Sequence, residues 1–348
     1  MFIHFRYIIL AAFTLSLALL GSGLAGTTNP DYALVDTLHL PGPTRWDYLT
    51  FDSKEHRLFI TRGERVDVLD VKTKIIVGSI PNTSGAHGVT LASELGKGFI
   101  SNGKANTVTI FDLTTLKSLT TVQVGTKPDA IAYDAVTQRV FAANAGGGDM
   151  TVINAKDDTV IATVKLDGQP EFAVVDGKGR LYVNLEDKAQ LAVVDTKKLK
   201  VIAHYDLAQS CESPSGLAID TSLDHLFAVC RSKVMVVIDA VTGKIKDTLP
   251  IGASSDGAIF DPESKRVFSS NGEGTLTIVD ASNPDHYQVV QTIATMPTAR
   301  TMALDPLTHQ LYLAAAETDG VDQPTAKHPH PRPHIRPETF MILTVGQK

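Results

Sequence analysis

"AIAYDAVTQRVFAAN", residues 130–144, is the stretch that decides the fold, because it returns elsewhere in altered form. "GVTLASELGKGFISN" (88–102) and "GAIFDPESKRVFSSN" (257–271) repeat its pattern of a short apolar run, a turn and a second apolar run. With Asp134 as landmark, the equivalent positions are Asp52, Ala92, Asp134, Asp176, Asp220, Asp261 and Asp305, at intervals of 40, 42, 42, 44, 41 and 44. A second landmark falls at Asp70, Asp112, Asn154, Asp195, Asp239 and Asp280, spaced 42, 42, 41, 44 and 41. One period carried by two independent markers signals a repeat architecture.

Within each unit the segments are short and β-branched, as in "RVFAAN", "MTVIN" and "TVIATVKL", and turn residues separate them. No stretch sustains a helical period. Four short strands per unit of about 42 residues predict propeller blades. Six complete units run from Asp47 to Arg300, and a seventh starts with "TMALDPLTHQLYLAAA" and ends with "TFMILTV", one strand short. "YALVDTLHLPGPTRWD" (32–47) resembles a last strand and its exit turn, so the N-terminal segment is expected to complete the last blade. Closure would remove two exposed strand edges. The expectation is an all-β, seven-bladed β-propeller of four-stranded antiparallel blades.

"RVFAAN", "KGFISN", "RLYVN" and "RVFSSN" resemble the motif of the YVTN β-propeller repeat family, of YncE-like and surface-layer types. The resemblance covers the mature chain and implies fold, not function. The first, fifth and seventh units depart from the motif with "LFITR", "LFAVC" and "LYLAA".

The chain has 348 residues, 43% of them hydrophobic, enough for a large core. Its opening stretch "MFIHFRYIILAAFTLSLALLGSGLA" has one cation, Arg6, an apolar run from Tyr7 to Leu20, and small residues at Gly23 and Ala25. Residues 1–25 therefore read as a signal peptide cleaved after Ala25, leaving 26–348 as one domain. The run is short for a spanning helix, so no membrane span is expected after cleavage. The expected location is periplasmic or extracellular. Removing Arg6 takes the net charge from −6 to −7. No basic block supports nucleic-acid binding.

Export gives meaning to Cys211 and Cys230, which an oxidising compartment would pair. Cys211 lies in a connection between units ("QSCESPSG") and Cys230 ends a second strand. In antiparallel four-stranded blades both places belong to one face, so a disulfide is expected. The same face receives the insertion at 317–338, "ETDGVDQPTAKHPHPRPHIRPE", in the last unit. Its prolines favour a stiff, extended chain. His328, His330 and His334 are candidate metal ligands at a spacing foreign to standard zinc motifs.

The denser signal lies five residues before each first landmark. There the chain reads Asp47, His87, Asp129, Glu171, Ser215, Asp256 and Arg300. A closed ring would bring these to one axial opening as a ligand-binding set. Arg300 would neutralise Asp256 and Asp47, while His87, Asp129 and Glu171 keep excess negative charge that suits a divalent metal ion. Tyr48 and Phe172, one position on, are candidates to line the pit or to pack, as is Trp46. The "NAGGGD" turn (144–149) has no following helix and is not a phosphate loop.

These features imply an exported binding module for a small ligand, a metal or an exported protein partner, with no cofactor required beyond a possible divalent ion. Neither Gly-x-Ser-x-Gly nor His-Glu-x-x-His occurs. The alternatives are a metal-dependent hydrolase or lyase working at the axial pit, and a passive cell-surface scaffold.

Overall fold

Asx turns at most of the landmarks explain the repeat. The computed structural model describes residues 1–2, 31–323 and 333–348. In it the first landmark, where it is an Asp, caps the turn after the innermost strand, while Ala92 leads instead into the 3-10 turn Ser93–Leu95. Asp134 Oδ1 accepts from the Val136 amide at 3.1 Å, Asp220 Oδ1 from Ser222 at 2.8 Å and Asp305 Oδ1 from Leu307 at 2.9 Å. The second landmark does the same after the third strand: Asp112 Oδ1 accepts from Thr115 at 2.7 Å and Asp239 Oδ1 from Thr242 at 2.8 Å. After most landmarks the fourth residue takes a positive φ, as at Gln138, Asp224 and His309. A short carboxylate bonding its own backbone two or three residues on is what makes Asp a turn former.

The turns fold the chain into antiparallel sheets taken in sequence order. Four-stranded sheets are built from Pro128–Asp134 to Thr159–Lys165, from Pro170–Val175 to Lys200–Asp206, from Pro214–Asp220 to Ile245–Pro250, and from Ser255–Asp261 to Gln288–Ala294. The first two units, expected as separate sheets, share the 18-residue strand Ile75–Ala92 and form one seven-stranded sheet. The chain stays paired through that corner because Ala86 faces both Gly63 and Asn102.

Tyr32–His39 pairs with Met341–Gln347 in the sheet that also holds Gln310–Ala315 and Thr301–Asp305. The N-terminal strand thus completes the last unit's sheet. Beside it, the fully buried Arg62 lies 3.9 Å over the Phe340 ring and donates through Nε to Pro43 O at 2.9 Å.

Burial follows strand position. Third strands such as Thr107–Asp112 are buried almost throughout, while outer strands such as Lys200–Asp206 alternate exposed and half-buried. Apolar side chains form seams between consecutive sheets. Phe141 and Val152 pack with Leu181 and Val194, and Phe268 and Ile278 with Leu311 and Leu343. One seam joins the last unit to the first, with Ala314 and Ile342 against Leu58 and Ile60.

The insertion forms a small ribbon in which Thr318–Val321 pairs with Pro333–Ile335. The Arg336 amide donates to Glu317 O at 2.8 Å and roots it. The signal segment, its cleavage point, His328 and His330 lie outside the described residues. Among the described residues no helix is long and apolar enough to cross a membrane.

Candidate functional site

The starts of the innermost strands carry the ring residues, and at five junctions hydrogen bonds tie the backbone of one unit to the next. The Tyr48 amide donates to His87 O at 3.1 Å. Ser101 Oγ donates to Asp129 O. Asn184 Nδ2 donates to Ser215 O at 2.8 Å, Ser270 Oγ to Arg300 O at 2.5 Å and Thr301 Oγ1 to Asp47 O at 2.7 Å. Close approach of these strands requires small residues at some positions. A Cβ on Gly216 would lie 2.6 Å from Asp256 O.

Five charged side chains from five different units then meet in one chain of contacts. Asp129 Oδ1 lies 3.5 Å from His87 Nδ1, which lies 2.5 Å from Asp47 Oδ2. Asp47 Oδ1 lies 3.5 Å from Arg300 Nη2, and Arg300 Nε donates to Asp256 Oδ2 at 2.8 Å. Arg300 therefore stands between Asp256 and Asp47, and His87 between Asp47 and Asp129.

Burial and mutual repulsion set the titration of this cluster. Burial, with the Asp47 charge next, pushes Asp129 up to about 7 against the opposing pull of His87. Burial pulls His87 down, but the Asp47 hydrogen bond and the charges of Asp129 and Asp47 outweigh it and raise it. Burial lifts Asp256 against the pull of Arg300. Glu171 is raised well above the carboxylate range by burial, then by Asp256, Asp129, Glu186 and Asp47. Its carboxyl shares their field without joining the ion-pair chain.

Two placements differ from the sequence expectation. The buried Ser215 hydroxyl donates to Ser255 O at 2.8 Å, so it is spent on backbone rather than on the opening. The closest candidate ligand set is Asp47, His87 and Asp129, whose ligand atoms lie within 4.8 Å of one another, with Asp47 standing where Glu171 was expected. His334 sits on the insertion ribbon, Nε2 3.1 Å from Asp322 Oδ1, both exposed. Cys211 and Cys230 are disulfide-bonded with Cα atoms 5.5 Å apart. With Ser215 and both cysteines engaged, they offer the entrance no free nucleophile.

Tyr48 and Phe172 pack on each other, ring centroids 4.9 Å apart. Burial, then the charges of Asp256, Glu171, Asp47 and Asp129, hold the Tyr48 phenol protonated. Trp46 is buried and packs on Phe340, centroids 5.4 Å apart.

Sequence reasoning missed a second set, at the residue following each second strand: Arg62, Gly103, Ala145, Glu186, Arg231, Gly272 and Ala316. Arg231 Nη2 lies 2.8 Å from Glu186 Oε1, which places a second ion pair near Glu171. The repeat alignment that exposed the first set would have exposed this one.

No family model and no curated protein matches the sequence. Solved structures do match. A chain of the Kuenenia stuttgartiensis hydrazine synthase is 15% identical with a TM-score of 0.68, covering 83% of this chain and 95% of that one. A chain of a mitotic checkpoint complex is 15% identical with a TM-score of 0.72, covering 88% and 96%. The WD40 repeats of RRP9 are 10% identical with a TM-score of 0.74, covering 91% and 98%. At such identities the likeness is one of fold, and the fold is a β-propeller.

Proposed function

We propose that the chain is an exported, seven-bladed propeller of YVTN type that acts as a binding module and takes a cationic ligand at its axial entrance. The blade count is supported by the two-marker repeat and by the seam between the last unit and the first. Export is supported by the signal-like N-terminus and by the disulfide, which suits an oxidising compartment. Protein-partner binding by the same face is the related reading, since two of the structural neighbours are a checkpoint assembly chain and a WD40 repeat domain.

One observation carries the cation preference. Asp47, Asp129, Glu171 and Asp256 share the entrance with only His87 and Arg300 among the ring residues to offset them, and burial with mutual repulsion raises three of the four carboxyls. A cation entering there relieves that repulsion.

Thermal unfolding of the chelator-treated mature chain with spermidine, arginine amide or citrate tests this. Spermidine or arginine amide should raise the midpoint, citrate should not, and an Asp129→Asn/Glu171→Gln variant should lose the response. Equal responses in wild type and variant would overturn the reading. The hydrolase or lyase alternative is favoured by the Asp47, His87 and Asp129 set, and lactone turnover that survives Asp129→Asn would remove it.

A further inference from the structure

We propose that Asp47, His87 and Asp129 form a three-ligand site for a divalent first-row transition ion, which rests on the cation-binding reading of the entrance and names its ligand. Each residue comes from a different unit, and their ligand atoms already lie within 4.8 Å of one another without rearrangement of the strands.

The independent observation is the Asp129 carboxylate. Asp129 is 7% exposed, and among the described residues its side chain accepts no hydrogen bond; its nearest charged neighbour is His87 Nδ1 at 3.5 Å. Its backbone oxygen, by contrast, is held by Ser101 Oγ. The residue is buried but its carboxylate oxygens are not enclosed, so they open onto the entrance, where an incoming ion reaches them without displacing a protein donor. Asp129 is thus held by its main chain and left open at its acid group, on the side that faces His87 and Asp47.

Asp47 is backed as metal ligands usually are. Asp47 Oδ1 is 3.5 Å from Arg300 Nη2, and Arg300 is itself bound to Asp256. This outer shell orients the Asp47 carboxylate. Gly103 leaves the far edge of the imidazole clear, since a Cβ there would lie 2.6 Å from His87 Cδ2 and 2.7 Å from Nε2. Two carboxylates and one imidazole suit zinc or manganese better than calcium, which prefers six or more oxygens.

The test is equilibrium dialysis of the chelator-treated mature chain against zinc, with metal content measured per chain and folding checked by circular dichroism. Wild type should hold one zinc at this site. Asp129→Asn should weaken it at least about 10-fold, the loss expected even for an outer-shell partner. Gly103→Ala, which keeps all three ligands but crowds the imidazole, should also weaken it. A His328→Ala/His330→Ala/His334→Ala variant should retain it. Zinc retained in Asp129→Asn, zinc lost only in the triple histidine variant, or calcium bound as tightly as zinc would each overturn the site. No zinc in wild type while spermidine still stabilises it would overturn this proposal alone. Loss of both responses would overturn the cation-binding reading as well.

Discussion

Tyr48 and Phe172 stand on innermost strands of the first and fourth units, yet their rings meet at 4.9 Å between centroids. The equivalent positions elsewhere are Gly88, Ala130, Gly216, Gly257 and Thr301, all small. Two aromatics therefore occupy room that five small residues leave. Phe172→Ala should destabilise the chain by about 3 kcal/mol, at the low end for buried Phe because Phe172 is only half-buried. A double-mutant cycle with Tyr48→Ala should give a coupling of about 1 kcal/mol in denaturant unfolding.

Glu171 makes stability depend on pH. Its folded pKa is raised by burial first and by Asp256 next, so the folded state binds its proton more tightly than the unfolded state does. The stabilisation is present below about pH 4.3, the ordinary value for Glu, and is lost as pH rises through the folded pKa. Glu171→Gln, a permanent mimic of the protonated form, should match wild type at pH 4 and exceed it at pH 8. Parallel urea titrations at the two pH values check this; a constant difference would refute it.

The Cys211–Cys230 bond closes a loop with a sequence separation of 19. On chain-entropy grounds a loop of this size contributes about 3 kcal/mol. Cys211→Ala/Cys230→Ala should lose about that much in chemical unfolding and keep the far-ultraviolet spectrum.

Asn184 clamps the fourth unit to the fifth through Ser215 O at 2.8 Å and Gly216 O at 3.2 Å. Asn184→Ala should cost about 1–3 kcal/mol because both buried acceptors lose their donor. Amide exchange should accelerate first at Ser215 and Gly216.

Arg62 holds the N-terminal turn, with its guanidinium over Phe340 and Nη1 3.4 Å from Asp67 Oδ2. Arg62→Ala leaves Asp67 buried beside Arg65 alone and should destabilise by about 3 kcal/mol or more. Limited proteolysis should then cut the segment around Pro41–Pro43 sooner than in wild type.

The motif asparagines show where reading a repeat by eye goes astray. Asn102, Asn144 and Asn271 share one register and donate within their own sheets, to Thr109, Thr151 and Thr277. Asn184 of "RLYVN" looks equivalent but pairs with Leu191, one register step earlier, where Ser101 and Ser270 stand. Its side chain accordingly reaches the next unit. In a strand one residue of slip reverses the face, so resemblance of letters does not secure equivalence of contacts.

Unaided, the sequence determined the local geometry: short strands between turns at a fixed period, and the seven positions five residues before each first landmark. These follow from short β-branched runs and from carboxylates that bond their own backbone, both of which act within a few residues. Which ring members touch was decided only by the tertiary structure. Ser215 turned to a backbone oxygen, Asp47 rather than Glu171 joined His87 and Asp129, and Tyr48 reached Phe172. Those outcomes depend on inter-strand spacing and side-chain direction between units far apart in sequence, and no short-range pattern encodes either.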